Sequence, residues 1–389
     1  RQMCIRDSVF CDLQLSLHLF SNRVGCVAIL WCVRSARTDR KCSREKDRTK
    51  KRMEIQAFFR GTCHRKEVQS KALSMQKGCI FMTKIQFSCD RQVFYAAITH
   101  VAKGVAQKST IPELERLKLR LDHDMLELTG YDLEFGIQRT IEVESEDSGE
   151  FVILPRLLSE AVRRFSGERV QMEVDENYGV RMTCDATQFQ ISAMSAEEYP
   201  SLPNLSMQSG MQIEQSVLNS MIRQTSYAAS TSEAKPVLTG ELFEVEQDVL
   251  HVAAIDGYRL AVRQEPISSA ENFRFVVPKR TLLEVANMLK DDAEDLCDIS
   301  ADRRYVVFEF NGYTVFSRLL EGEFHNYRSS IPNQHETEVL MDTVELTRCL
   351  ERCSLLISGK YNAPVRCTFS GGALEIWCKT GIGLSLIHI

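Results

Sequence analysis

No apolar run in the 389 residues approaches the roughly 20 needed to cross a bilayer. The best, Val24 to Val33, sits behind Arg23 and too far from the start for a secretory signal. No membrane partner is expected, and a cytoplasmic location is. Catalytic signatures are also missing: there is no GxxxxGK[ST] phosphate loop, no HExxH, no GxSxG and no strand-linked GxGxxG. His100, His123, His251, His325 and His335 are dispersed. Beyond Met82 there is no CxxC pair. Cys89, Cys184, Cys297, Cys349, Cys353, Cys367 and Cys378 are scattered and odd in number, which points to buried free thiols in a reducing compartment. Cys349 and Cys353 lie one helical turn apart, with no histidine near enough in sequence to suggest zinc. Neither a metal nor a cofactor is expected, and most enzyme classes lose their footing.

What is present is uneven. A chain of this length suggests two to four domains. Residues 1–81 carry 18 Lys and Arg against 7 Asp and Glu, whereas residues 82–389 carry 30 against 46. A basic leader thus precedes a strongly acidic body. The leader mixes cationic clusters, Arg34 to Arg52, with short apolar runs of no sustained period. The two ends share an oddity. Leu384-Ser385-Leu386-Ile387-His388-Ile389 can be written in codons as CTG TCT CTT ATA CAC ATC, whose reverse complement encodes Met-Cys-Ile-Arg-Asp-Ser, the residues at 3–8. One DNA element in opposite orientations, resembling a transposase end used as a sequencing adapter, accounts for both. The expectation is a non-native or read-through leader over 1–81, disordered, a natural start at Met82, and an adapter-derived tail over 384–389. A basic nucleic-acid-binding arm is the alternative reading of the leader.

From Met82 onward the sequence repeats itself. An alternating segment, Lys84 to Ser88, leads into a helix from Asp90 with Phe94, Ala97, Ile98 and Val101 on one face. Leu117, Leu119 and Leu121 then alternate, and a strand covers Leu126 to Glu134. Phe151 to Pro155 opens a second helix carrying Leu158, Ala161, Val162 and Phe165, with Pro155 suited to its first turn. Alternating strands through Ile191 close on Glu198 to Pro203. In the second pass a helix carries Leu218, Met221 and Ile222, and Val252 to Val262 takes the place of Leu128 to Ile137. Phe275 to Pro278 opens a helix with Leu282, Val285, Ala286 and Leu289. Asp132 to Pro155 is 23 positions and Asp256 to Pro278 is 22. A third pass starts with Leu346, Cys349, Leu350 and Cys353 and reaches the strand Leu374 to Trp377. The reading is an α+β protein of repeated domains, each with two helices packed on antiparallel sheets of about eight strands. One domain spans 82–207, a second 208–333, and 334–383 holds the N-terminal part of a third.

Within the second pass, Asp256-Gly257-Tyr258-Arg259 between apolar runs is a strand–turn signal, because glycine accepts positive φ. Tyr258-Arg259-Leu260 is set against Leu133-Glu134-Phe135 of the first pass, and that difference marks a candidate docking site. Asp256 with Tyr258 and Arg259 can also be drawn as an acid/base cluster of a hydrolase or transferase, although Asp beside Gly in a turn ordinarily caps its own backbone. The helices' polar positions are basic in an acidic body: Lys103, Arg156, Arg163 and Arg164, then Arg223, Lys279 and Arg280, then Arg348 and Arg352. Acid gathers in connections such as Glu142 to Glu150 and Asp291 to Asp298. Ordinary solvated faces would explain any one helix. Repetition in every pass points to one positive surface, which attracts a phosphate backbone without reading bases. No stacking platform or recognition helix is evident.

Ser109-Thr110-Ile111-Pro112, Leu128-Thr129-Gly130-Tyr131-Asp132-Leu133-Glu134, Ser230 to Gly240, Ala254 to Val262 and Tyr327 to Pro332 stand in this order. Over about 82–382 the chain resembles the bacterial DNA polymerase III beta subunit, the DNA sliding clamp. The resemblance implies the DNA-clamp (processivity) fold, three similar domains per chain, and a head-to-tail homodimer closing a six-domain ring with helices lining the hole. Such a ring encircles double-stranded DNA without sequence preference and without chemistry of its own. It tethers the replicative polymerase, and it holds the clamp loader and repair polymerases through short peptide motifs. Basic residues near Lys108, Arg156 and Lys235 would touch DNA, beside the helix cations Lys103, Arg223, Lys279, Arg280, Arg348 and Arg352. Lys108 stands where the family often has arginine, which keeps the charge and loses the planar fork. The peptide pocket would be built from Leu238, Ile255, Gly257, Tyr258, Arg259 and Leu260, with Pro332 on the linker. Two departures accompany the resemblance. The leader has no family counterpart, and the rest of the third domain is absent, which predicts half a pocket and an unpaired sheet edge. The runner-up is a peptide-binding interaction scaffold that no longer closes a ring on DNA.

Overall fold

The computed structural model describes residues 2–6, 27–30, 84–203, 209–267, 272–290, 295–331, 338–357 and 364–389. Of the leader, two short strands fall among them, β1 (Gln2–Arg6) and β2 (Val27–Leu30). The remainder of the expected disordered leader lies outside the described residues, as does Pro332.

A first run begins with β3 (Ile85–Asp90) and α1 (Arg91–Val101). The Asp90 carboxylate caps α1 by accepting from the amides of Gln92 and Val93 at 2.8 and 2.9 Å, donors that no helical carbonyl can reach. Phe94, Ala97, Ile98 and Val101 form its buried face. Then come β4 (Leu117–Asp122), β5 (Met125–Tyr131), β6 (Phe135–Glu142) and β7 (Ser148–Ile153). In β4 the three leucines are buried while Lys118 is half-buried and Arg120 exposed, the period of two of a half-buried strand. α2 (Pro155–Arg164) buries Leu158, Ala161 and Val162. The run ends with β8 (Arg169–Val174), β9 (Gly179–Cys184), β10 (Thr187–Ser192) and the two-residue β11 (Met194–Ser195).

A second run has the same order: β12 (Ser209–Glu214) and α3 (Gln215–Thr225), then β13 (Gly240–Glu246), β14 (Val249–Ile255), β15 (Arg259–Pro266) and β16 (Phe273–Pro278). α4 (Lys279–Met288), β17 (Leu296–Ala301), β18 (Tyr305–Phe310) and β19 (Tyr313–Arg318) complete it. A third starts with β20 (Glu338–Asp342) and α5 (Thr343–Ser354) and continues through β21 (Arg366–Ser370), β22 (Ala373–Thr380) and β23 (Gly383–His388).

Strand register removes the one mismatch in the repeat. Leu117 pairs with Ile153 in the first run and Glu241 with Val277 in the second. Leu154 and Pro278 are therefore equivalent, each 22 positions past its aspartate, and each is the residue that caps the following helix. Pro278 ends a strand, whereas Pro155 is the first residue of a helix, so the two prolines were one place out of register.

All strand pairing among the described residues is antiparallel. One sheet has the order β10-β9-β8-β3 and another β16-β13-β14-β15-β2. Between the runs, β6 pairs with β19, with Ile137 opposite Val315, and the result is a continuous nine-stranded sheet. The outer edge of β15 pairs with Val27–Leu30. Helix α1 packs on α2, and α3 on α4. No helix among the described residues is long and apolar enough to cross a membrane. Six of the cysteines beyond Met82 are buried free thiols and Cys367 is half-buried. Burial pushes the Cys89 thiol up to about 12 and that of Cys367 up to about 11, away from the reactive thiolate.

Candidate functional site: an apolar pocket beside a polar turn

One aspartate sets the geometry of the turn joining β14 to β15. The Asp256 carboxylate accepts from the amides of Tyr258 and Arg259 at 2.9 and 3.1 Å, and its second oxygen accepts from Arg259 Nε at 2.8 Å. Gly257 sits at φ +90° with open space where a Cβ would be, so only the backbone angle favours glycine here. Arg259 lies over the Tyr227 ring at 5.8 Å. Tyr258 projects outward, 78% exposed. An aspartate holding three donors is a structural cap, and the hydrolase or transferase reading finds no geometry in its support.

Beside the turn lies a cavity of about 790 Å³. Leu238, Ile255, Gly257, Tyr258, Arg259 and Leu260 all line it, brought together from the 3-10 turn Pro236–Thr239, the end of β14 and the start of β15. Lys235, grouped on sequence with the DNA-facing cations, lines the same cavity. The opposite wall escaped the sequence reading. Glu323, Phe324, His325, Asn326, Ser329 and Ser330 belong to the connector after β19, the aperiodic stretch from Glu323 to Pro332 that closes the second pass in sequence without being assigned to the pocket there. Phe324 and Tyr327 are buried with Leu242, Ile255 and Leu260 in one apolar cluster. The floor is therefore hydrophobic and the rim polar, with Lys235, Arg259, Glu323 and Asn326 around it. Such a site suits a short segment anchored by apolar side chains, each worth about 1.5–3 kcal/mol when fully buried.

The first run makes the same turn and covers it. Asp132 accepts from the amides of Glu134 and Phe135 at 3.1 and 2.7 Å, with Leu133 at φ 78° in the glycine's place. These bonds set Glu134 against Tyr258, Phe135 against Arg259 and Gly136 against Leu260, one residue away from the pairing drawn on sequence. Arg280 of α4 reaches Asp132 Oδ2 at 2.8 Å, lies over the Phe135 ring at 5.3 Å and donates to the Lys103 carbonyl at 3.4 Å. The Phe316 ring of β19 lies over Gly136, where a Cβ would collide with its Cζ, and packs 5.3 Å from the Tyr131 ring. The Arg318 amide donates to the Glu134 carbonyl at 2.7 Å.

Lys103, Lys108, Arg156, Arg223, Lys235, Arg280, Arg348 and Arg352 are exposed, and Lys279 is half-buried. Arg156 is in the first turn of α2, Arg223 in the last turn of α3, Lys279 and Arg280 in the first turn of α4, and Arg348 and Arg352 on α5. Several have partners within the chain. Arg223 Nε donates to Asn219 at 2.8 Å, Arg352 Nε donates to the Arg348 carbonyl at 3.2 Å, and Arg280 is held at the joint described above. On α2, Glu160 pairs with Arg163 at 2.8 Å and Arg164 at 3.5 Å. The hydrogen bond from Arg163 holds the Glu160 carboxyl below its usual range. On α5, Glu345 and Glu351 share the surface with both arginines. The helix faces are thus less purely basic than their cation count suggests. Among the described residues no group of His, Cys, Asp and Glu is arranged to hold a metal.

Comparison with known proteins gives this architecture a family. Residues 85–203 match the N-terminal domain of the DNA polymerase III beta subunit, and residues 212–326 match its central domain. The beta sliding clamp of Halalkalibacterium halodurans is 30% identical over 309 residues, covering 76% of this chain and 81% of that protein. That of Bacillus subtilis is 32% identical over 292 residues, covering 72% and 77%. A crystal structure of the DNA polymerase sliding clamp from Bacillus subtilis matches with a TM-score of 0.75 at 30% identity, over 79% of this chain and 84% of that one. Turn, repeat and matched domains converge: the chain belongs to the bacterial DNA polymerase III beta subunit family, the sliding clamps, which are non-catalytic accessory subunits of a DNA polymerase.

Proposed function

We propose that this clamp works as one protomer of a head-to-tail homodimer, a cytoplasmic ring that encircles double-stranded DNA and tethers the replicative polymerase, the clamp loader and repair polymerases. The partners dock as short peptide segments in the pocket beside Asp256–Leu260. The domains are 82–207, 208–333 and, in part, 334–383. Lys103, Lys108, Arg156, Lys235, Lys279 and Arg348 supply charge toward phosphates, with Arg223, Arg280 and Arg352 adding to the same field while serving their partners within the chain. Each phosphate neutralised steepens the fall of affinity with salt by about 0.9 in log–log slope.

The observation that carries this reading is the β6–β19 joint, because it shows how one copy of the repeat continues the sheet of the next. In the first run β10 stands where β19 stands in the second, and its outer edge pairs with no strand among the described residues. Leu154, Leu157, Phe189 and Ile191 line an apolar recess beside it, with Arg156 and Arg164 at the border. A strand equivalent to β6, supplied by a second copy, would extend β10 as β6 extends β19, and two such joints close a ring.

The test uses nicked circular DNA loaded in the presence of the clamp loader and then passed through a sizing column in high salt. Protein that stays with circles and leaves after a single linearising cut supports encirclement. Equal retention on both DNA forms would mean surface binding and overturn the ring.

A further inference from the structure

We infer that Arg328 is a positioning residue for the peptide pocket: tied to Glu244 and Glu246 of β13, it holds the Phe324–Ser330 wall in binding geometry before any partner arrives. The inference rests on the pocket reading above. The connector after β19 has one regular element at this wall, the 3-10 turn Tyr327–Ser330, too short to hold itself in place. Phe324, His325, Asn326, Ser329 and Ser330 line the cavity, while Tyr327 and Arg328 between them do not. Those two reach the sheet instead. The Tyr327 hydroxyl is 3.4 Å from Glu244 Oε2, and the Arg328 guanidinium is 2.9 Å from the same oxygen and 3.0 Å from Glu246 Oε2. Arg274 of β16 approaches the other Glu244 oxygen at 3.6 Å and donates to the Phe324 carbonyl at 3.3 Å. The Glu244 side chain is almost fully buried, so salt screens these pairs less than it screens open-surface ones.

The internal repeat indicates that this acid is special to the copy with the pocket. In register, Glu244 opposite Arg274 corresponds to Arg120 opposite Glu150, the same cross-strand pair with its signs exchanged. An arginine on the first run's connector would find no acid at that place on β4. His251, beside Glu244 in the ladder, adds no competing cation, because burial and then Arg328 hold its ring below the usual histidine range. A preset wall spares the peptide the entropy of ordering it. If loosening leaves the wall competent about a tenth of the time, the apparent dissociation constant rises about tenfold.

The full chain is titrated with a synthetic peptide copying the clamp-binding segment of the replicative polymerase, and amide exchange is followed in parallel. Arg328→Gln is expected to weaken binding about tenfold. It should also speed exchange at Ser329 and Ile331, whose amides donate to the Asn326 and Arg328 carbonyls at 3.2 Å each, while α3, α4 and the β-sheet amides keep their protection. Arg328→Lys, which restores one charged donor, is expected to recover part of the affinity. Unchanged affinity in Arg328→Gln would overturn the proposal, as would faster exchange spread over the whole second run, which would mark a merely structural role. A wild-type chain that ignores the peptide would sink the pocket reading and this inference together, whereas a normal wild type with an indifferent Arg328→Gln sinks this inference alone.

Discussion

At Asp132–Phe135 and at Asp256–Arg259 the chain makes one turn twice, an aspartate accepting from the amides two and three positions on, yet the surroundings are opposite. The first turn is sealed by Phe316, Arg280 and the Arg318 amide, all from the second run. The second borders a 790 Å³ cavity. The turn itself is architecture, since both copies need it to join their strands. Function enters through what stands at the neighbouring position. Gly136 lets a ring lie flat on the backbone, while Leu260 supplies a side chain to a pocket floor.

Substitutions that exchange the two environments should follow that logic, in decreasing order of effect. Gly136→Leu drives a side chain into the Phe316 ring and should destabilise the chain by about 3 kcal/mol, read from urea unfolding. A loss under about 1 kcal/mol would show that the ring moves aside and that the seal is loose.

Glu241, fully buried, stands where the first run has Leu117. Burial raises its carboxyl pKa to about 8, with a hydrogen bond from Thr225 opposing the shift. A folded-state pKa above the unfolded one means that the folded chain holds the extra proton. The stability this gives is complete below about pH 4.5 and is lost as pH rises toward 8. Glu241→Leu should therefore stabilise the chain by roughly 2 kcal/mol at pH 8 and by little at pH 5. Equal effects at the two pH values would mean that the carboxyl does not titrate in this window.

Arg259→Ala removes the bond to Asp256 and the contact with Tyr227. It should weaken peptide binding about tenfold, or 1.4 kcal/mol, with a smaller effect on unfolding. If unfolding suffers more than binding, Arg259 belongs to the architecture as Phe135 does. Gly257→Ala meets no steric obstacle and bears only the backbone strain, so a loss of about 1 kcal/mol or less is expected in melting experiments.

Much of the fold was legible because periodicity is local. The three alternating leucines of β4 and the spaced apolar faces of α1, α2, α3, α4 and α5 each report their own burial. The near-match of 23 and 22 positions was also local, and register was needed to show that Pro155 and Pro278 are not equivalents. The near half of the pocket was visible for the same reason, since Ile255 to Leu260 is continuous chain. Its far wall was not, because Phe324 to Ser330 has no period and is placed by pairs such as Arg328 with Glu244, 84 positions apart in sequence. Arg280 was equally opaque: its cation reads as surface charge until the fold brings Asp132 beside it.

The most direct test of the comparison is to map a bound polymerase-derived peptide on methyl-labelled protein. Shifts confined to Leu238, Ile255 and Leu260, with Leu128 and Ile137 beside the sealed turn unmoved, are the predicted result. Shifts at the first turn, or in the recess beside α2 with Leu260 unmoved, would contradict it.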